Sequence, residues 1–262
     1  MNKAIKYICN WNYFEKIDTE EKAYWLGFLY ADGCVYFKPK KEYRINLHLE
    51  CKDINHIIKF KQSINATHKI RNYNRTRIRN NKIIKECIST LDISSEKMVN
   101  DLIKHHCVPN KTLILKWPQN VVPDNLKRHF IRGIIDGDGD WSIEKTRKNM
   151  VIVELTSTKD MCENIRNWIY IKCGRYGTSN IKKRTKANAY RIRFENKIMT
   201  HRIYHLLYND STIFMNRKRK IASIMSRLEY NGNGNKAKMF IPAPNEKQLQ
   251  YRSKNNLSLY AK

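Results

Sequence analysis

The sequence predicts an α+β protein made of two pseudo-symmetric αββαββα halves, each with a four-stranded antiparallel sheet. Three observations predict it. Runs of alternating apolar residues and runs of helical periodicity follow one another in the same order twice. Two apolar helices end on Asp-Gly, at Asp32-Gly33 and at Asp138-Gly139. Matching positions also keep their offset, since Gly27 to Gly133, Asp32 to Asp138 and Gly33 to Gly139 are each 106 apart, and Lys52-Asp53 matches Lys159-Asp160 at 107. A duplication with one inserted residue explains these offsets, and 262 residues are enough for two such units.

In the first half, Asp18-Thr19-Glu20-Glu21 supplies a capping residue and early acids, and Tyr24, Trp25, Phe28 and Leu29 follow at helical spacing as far as Ala31. Val35 and Phe37 form a strand that turns through Lys38-Pro39-Lys40-Lys41 into a second strand. There Tyr43, Ile45, Leu47, Leu49 and Cys51 alternate with Arg44, Asn46, His48 and Glu50, the signature of a half-buried strand. Ile54, Ile57, Ile58 and Ile64 mark a helix, residues 68–79 and 82–92 a second hairpin, and Met98, Val99, Leu102 and Ile103 a closing helix that stops before Pro109.

After a stiff linker at 118–125, Asp124 is placed to cap a helix running from Leu126 to Gly139. Trp141 and Ile143, then Val151, Val153 and Leu155, form two strands, and a helix with Met161, Ile165, Trp168 and Ile169 begins at Asp160. A hairpin over 180–195 and a helix over 197–208 complete the repeat. Arg217-Lys218-Arg219-Lys220 then precedes a last helix ending near Tyr230. The expected divisions are therefore 1–117, linker 118–125, 126–230, and a polar extension over 231–262.

Lys and Arg total 51 against 24 Asp and Glu, a net charge of +27, and the cations are spread along the whole chain. Charge spread through patterned segments suits a phosphate backbone contacted along its length, which points to nucleic acid rather than an acidic small molecule. No run has the roughly 18 apolar residues of a membrane span, and the N-terminus has no signal-peptide pattern. The expectation is an intracellular protein without a membrane partner. Abundant Lys, Asn, Ile and Tyr with sparse Gly, Ala and Pro suggests AT-rich coding DNA, and hence a bacterial or phage-host cytoplasm or an organelle matrix. The seven cysteines are odd in number and include no CxxC, so they are expected to be reduced, mostly buried thiols.

The nonapeptides Trp25-Leu26-Gly27-Phe28-Leu29-Tyr30-Ala31-Asp32-Gly33 and Ile131-Arg132-Gly133-Ile134-Ile135-Asp136-Gly137-Asp138-Gly139 resemble the signature of the LAGLIDADG homing endonucleases and maturases, over roughly residues 19–230. A single Asp-Gly helix is ordinary. Two of them in register with a whole repeat are specific. Gly27 and Ala31, like Gly133 and Gly137, lie four apart, where small residues let two helix backbones approach closely. If the two helices run side by side, Asp32 and Asp138 share one site. Two carboxylates at helix C-termini repel each other and the dipoles, and a cation offsets both.

The resemblance implies a single-chain, monomeric enzyme that cuts double-stranded DNA at a long pseudo-palindromic or asymmetric site by phosphodiester hydrolysis. Catalysis and metal binding fall on Asp32 and Asp138, with the backbone oxygens of Ala31 and Gly137 as further metal ligands. The expected ion is Mg²⁺, with Ca²⁺ as a non-cleaving substitute and Mn²⁺ as an active one. By position after each half's closing element, Lys111 and Lys218 correspond to the family's basic residue near the cut phosphates. Asp136 and Asp140 are left out, because the counterpart of Asp136 is Tyr30.

Each αββαββα half leaves one sheet face free, and the two halves would form a DNA-binding saddle. The candidate DNA contacts are Arg44, Asn46, His48, Arg75, Arg77, Arg79, Arg191 and Arg193. Arg44-Asn46-His48 in one half stands against Ile152-Glu154-Thr156 in the other, so the half-sites should differ. His201 and His205 are four apart and could bind metal on a helix, but no Glu follows His201 as the zincin pattern requires, so a surface or core pair is the expectation. The rival functions are a maturase that binds intron RNA to assist splicing, and a non-cleaving DNA-binding protein on the same scaffold. Retention of both motif acids favours the nuclease.

Overall fold

The computed structural model describes residues 7–79, 82–144, 150–184 and 189–227. They pack as two units, one reaching to Asp138 and including Thr212–Arg217, the other made of Gly139–Ser211 and the residues from Lys218 on.

In the first unit, α1 (Glu20–Ala31) begins at Thr19, whose side chain accepts from the Lys22 amide at 3.3 Å, as a capping residue should. Every residue from Ala23 to Tyr30 is buried, so α1 is a core helix rather than an amphipathic surface one. β1 (Gly33–Lys38), β2 (Glu42–Glu50), α2 (Ile54–Ser63), β3 (Arg71–Arg79), β4 (Lys82–Ser94), α3 (Glu96–Lys104) and α4 (Lys127–Gly137) follow. The strands form one antiparallel sheet in the order β1-β2-β4-β3. Ile45 pairs with Ile93 and Leu47 with Leu91, all four buried, and this face packs on the helices. Trp25 anchors the core, its ring 4.9 Å from that of Phe60 and its indole N–H donating to Ser63 Oγ at 2.8 Å.

The second unit holds β5 (Gly139–Glu144), β6 (Met150–Ser157), α5 (Lys159–Cys173), β7 (Lys182–Lys183), β8 (Tyr190–Phe194) and α6 (Lys197–Tyr208). Its sheet repeats the first one's order, β5-β6-β8-β7. Trp141, Val153, Leu155 and Phe194 share the buried face. Two αββαββα series therefore stand in the chain as expected.

The structure departs from the sequence reading in three places. Asp124 lies in a 3-10 turn (Asp124–Leu126) and pairs with Lys127 at 3.3 Å instead of capping α4. The basic run Arg217–Lys220 lies inside α7 (Asn216–Ala222), which passes into a 3-10 turn (Ser223–Arg227). Tyr230 and the extension 231–262 lie outside the described residues. Cys51 and Cys87 are disulfide-bonded, not reduced, because β2 and β4 pair in a register that sets Glu50 opposite Ile88 and so brings the two Cα atoms to 5.3 Å. Their 36-residue separation in sequence hides that register. The other five cysteines are unbonded, and all but Cys34 are buried.

Candidate active site and nucleic-acid interface

α1 and α4 touch backbone to backbone. A Cβ added at Gly27 would lie 2.0 Å from the Phe130 carbonyl oxygen, and one at Gly133 would lie 2.1 Å from the Tyr24 carbonyl oxygen. At the C-terminal ends, a Cβ on Gly137 would meet the Ala31 Cβ at 2.3 Å and Asp32 Oδ2 at 3.4 Å. The four-residue spacing of small side chains thus produces the close approach it implied. Asp32 caps α1 through its backbone N–H, and Asp138 caps α4 through its N–H to Ile134 O at 2.9 Å. Asp32 is half-buried and Asp138 is exposed, so solvent reaches both motif acids.

Lys111 and Lys218 are both buried, unusual for lysine. The Lys111 ammonium donates to the carbonyl oxygen of Gly33, and that of Lys218 donates to the carbonyl oxygen of Gly139 at 2.6 Å. Each lysine therefore reaches the residue immediately after a motif acid.

The position that distinguishes the two motifs has a structural use. Asp136 is fully buried, accepts from Tyr24 Oη at 2.8 Å and from the Met215 amide at 2.7 Å, and so holds the segment leading to Lys218. Its counterpart Tyr30 donates instead to His105 O, in the segment leading to Lys111. Arg132, also fully buried, donates to Glu20 at 2.7 Å and to Ile213 O at 2.9 Å. Lys59 adds bonds to Phe214 O and Asn216 at 3.1 Å each, so Thr212–Arg217 is tied along its length to the first unit.

On the first sheet the register puts Arg44, Asn46, His48, Arg75 and Arg77 on the face away from the helices. Arg79 ends β3, and its side chain lies outside the described set. These groups are held in place by one another. Glu86 bridges Arg75 at 2.8 Å and Arg77 at 2.5 Å, and the Arg75 hydrogen bond holds its carboxyl below the usual range. Asn46 donates to Thr90 at 2.7 Å and Asp92 at 2.9 Å, Asp92 also pairs with Arg71, and Arg44 lies over the Tyr36 ring at 4.3 Å. On the second sheet, Arg191 faces Glu154 at 3.5 Å and Arg193 faces Glu144 at 3.2 Å, beside an open polar hollow of about 410 Å³ that Lys182 and Asn180 also line. The pairing sets Gly33 against Leu47 and Gly139 against Leu155, so Arg44-Asn46-His48 and Ile152-Glu154-Thr156 are equivalent positions, as the sequence comparison assumed.

By sequence, no family model and no curated protein matches the chain. Comparison in three dimensions does find solved structures of similar fold. The LAGLIDADG homing endonuclease I-LtrWI bound to target DNA matches over 95% of this chain and 99% of its own, with 12% identity and a TM-score of 0.51. The chain has the LAGLIDADG homing-endonuclease fold. The homing endonuclease I-WcaI bound to its DNA recognition sequence matches over 79% and 90%, with 14% identity and a TM-score of 0.51. An I-SmaMI variant with two lysines changed to alanine matches over 78% and 91%, with 14% identity and a TM-score of 0.50.

Within this LAGLIDADG fold, the donor set can be tested against the divalent ion that the resemblance implies. Asp32 and Asp138 offer hard oxygens at a solvent-accessible place. Among the described residues no group of three or more His, Cys, Asp or Glu is placed to hold a metal. Two carboxylates fit Mg²⁺, which keeps several waters and takes substrate phosphate oxygens instead of filling an all-protein cage. The sequence reading missed Arg71, Tyr73 and Tyr36 on the open face of the first sheet. The alternation of Arg75 and Arg77 continues back through Tyr73 to Arg71, so the first two were readable. The acids Glu86 and Asp92 were not, because cross-strand partners become visible only once the register is known.

Proposed function

We propose that this chain is a site-specific endonuclease that hydrolyses both strands of a long DNA site with Mg²⁺, acting as a monomer inside the cell. The observation that carries this reading is the close packing of α1 against α4, in which Asp32 Oδ2 lies 3.4 Å from where a Cβ on Gly137, the residue before Asp138, would stand. A Mg²⁺ ion held there would act as a Lewis acid on the attacking and leaving oxygens of a phosphodiester. Asp32 and Asp138 supply its carboxylate ligands, and the carbonyls of Ala31 and Gly137 lie one residue before each. The Lys111 and Lys218 ammonium groups, one residue beyond the acids, stabilise negative charge developing on the scissile phosphates. The arginine-bearing sheet faces contact the DNA. Because their side chains differ, the target is asymmetric or only pseudo-palindromic.

The test is to incubate the wild type, Asp32→Asn and Asp138→Asn with DNA libraries containing intron-less insertion loci, in Mg²⁺, Mn²⁺, Ca²⁺ or EDTA, and to map strand ends. The proposal expects one preferred double-strand cut in Mg²⁺ and Mn²⁺. It expects binding without cutting in Ca²⁺, and cleavage loss with retained binding in both variants. Specific DNA binding by the wild type with no cutting in any metal would replace it with a non-cleaving DNA-binding role. Specific binding of intron RNA alone would make the chain a maturase.

A further inference from the structure

His201 and His205 lie one turn apart on α6, with ring centroids 4.4 Å apart and planes inclined at 52°. His201 is nine-tenths buried and His205 half-buried. The Nδ1 of His201 is 2.7 Å from the Met225 carbonyl oxygen, and the Nδ1 of His205 is 3.0 Å from Asn209 Oδ1. A carbonyl oxygen can only accept, so each Nδ1 carries a proton, and in the neutral ring each Nε2 is a lone-pair nitrogen. Both Nε2 atoms are buried and make no hydrogen bond to any of the described residues. A buried nitrogen acceptor without a partner is costly, and here two of them occur on neighbouring rings of one helix.

We propose that His201 and His205 form a binding site for a late first-row transition ion, such as Zn²⁺ or Ni²⁺, which bonds both Nε2 atoms. Four-residue spacing on a helix sets two imidazoles on one face. With metal–nitrogen bonds of about 2.0–2.1 Å, rings at this separation can both reach one ion. The Nδ1 bonds to Met225 and Asn209 are the outer contacts that orient histidine ligands and fix their tautomer. Burial also lowers the His201 ring below the usual histidine range, in the direction of the neutral form. With two protein ligands, water completes the coordination. Imidazole selects Zn²⁺, Ni²⁺, Cu²⁺ or Co²⁺ over Mg²⁺, so this site is chemically separate from the carboxylate pair of the proposed active site. Because His201 also bonds Met225, an ion here would stiffen the attachment of the Ser223–Arg227 turn to α6.

The test uses the full chain after EDTA treatment and dialysis. Long-range ¹H–¹⁵N spectra of the metal-free protein should find both rings protonated at Nδ1. Titration with paramagnetic Ni²⁺ should then broaden the Nε2 resonances of these two residues together, the effect reaching saturation at one equivalent. His205→Gln, at a half-buried position where folding can be checked by circular dichroism, should weaken the Ni²⁺ affinity at least tenfold. The same measurement on His201→Gln supplies an independent loss. Nε2–H tautomers in the metal-free protein would overturn the proposal. So would Nε2 resonances that ignore Ni²⁺, or a folded His205→Gln that binds Ni²⁺ as the wild type does.

Discussion

Single residues decide whether the central helix pair can form. A Cβ at Gly27 would lie 2.0 Å from a backbone oxygen, and backbone cannot move aside as a flexible side chain can. Gly27→Ala should therefore destabilise the fold by about 1–3 kcal/mol or more, the range for overpacking, although alanine is the better helix former. Urea unfolding checks this, and a variant as stable as the wild type would mean that the helices sit further apart. Beside this contact lies a residue with a pH signature. His129 is nearly fully buried, with Arg132 Nη1 2.9 Å from its Nδ1 and Arg128 Nε 3.0 Å from its Nε2. Burial first, then the Arg132 charge, lowers its pKa from 6.5 to about 4. Between those values the unfolded chain binds a proton that the folded chain refuses. The stability contributed by neutral His129 is thus complete above pH 6.5 and lost as pH falls towards 4. Thermal unfolding at pH 7 and pH 5 in EDTA should show a steeper fall for the wild type than for His129→Gln, and equal slopes would contradict this account.

At the scale of elements, the link between the end of β2 and the middle of β4 is covalent. The Cys51–Cys87 bond closes 36 residues that include all of α2 and β3. Chain entropy alone assigns a loop of that size about 3–4 kcal/mol, so dithiothreitol or Cys51→Ser should lower the unfolding midpoint by several degrees. Unchanged midpoints would mean that β-pairing alone holds this corner. In an intracellular reducing setting the bond would be under redox pressure, which gives the measurement a second use. The disulfide also marks the limit of what the sequence carries. Helices and strands were legible because burial imposes periods of 3.6 and 2, and α1, β2 and α2 lie where those periods place them. The Gly27–Gly133 contact was legible because the whole unit repeats, and a repeat makes a weak small-residue signal specific. Contacts that depend on register were not legible. Cys51 with Cys87, Glu86 with Arg75, and Asp136 with Met215 join positions 36, 11 and 79 residues apart, and no local pattern announces them.

At the scale of the whole molecule, net charge and the charge of an open sheet face are different quantities. The chain carries +27, yet on the open face of the first sheet Arg44, Arg71, Arg75 and Arg77 stand among Glu42, Glu86 and Asp92. Exposed ion pairs are worth little, so the proposed DNA partner could take these arginines from their carboxylates, but each exchange would also leave a carboxylate facing the duplex. On the proposed DNA-binding role, counterion release should come mainly from lysines and arginines elsewhere, while the paired arginines, held in fixed geometry, should discriminate between bases. Affinity for the preferred DNA site should fall by about 10³–10⁵ between 50 and 200 mM salt if six to ten phosphates are neutralised. Replacing both Arg75 and Arg77 with alanine should change the salt slope by clearly less than the two units expected of two phosphate contacts. The same change should cut discrimination between the preferred site and random DNA by about 1–3 kcal/mol per lost base contact. Fluorescence anisotropy over a salt series, with specific and random duplexes, reads both quantities at once. If the double variant loses two units of slope and keeps its discrimination, these arginines grip the backbone and sequence is read elsewhere.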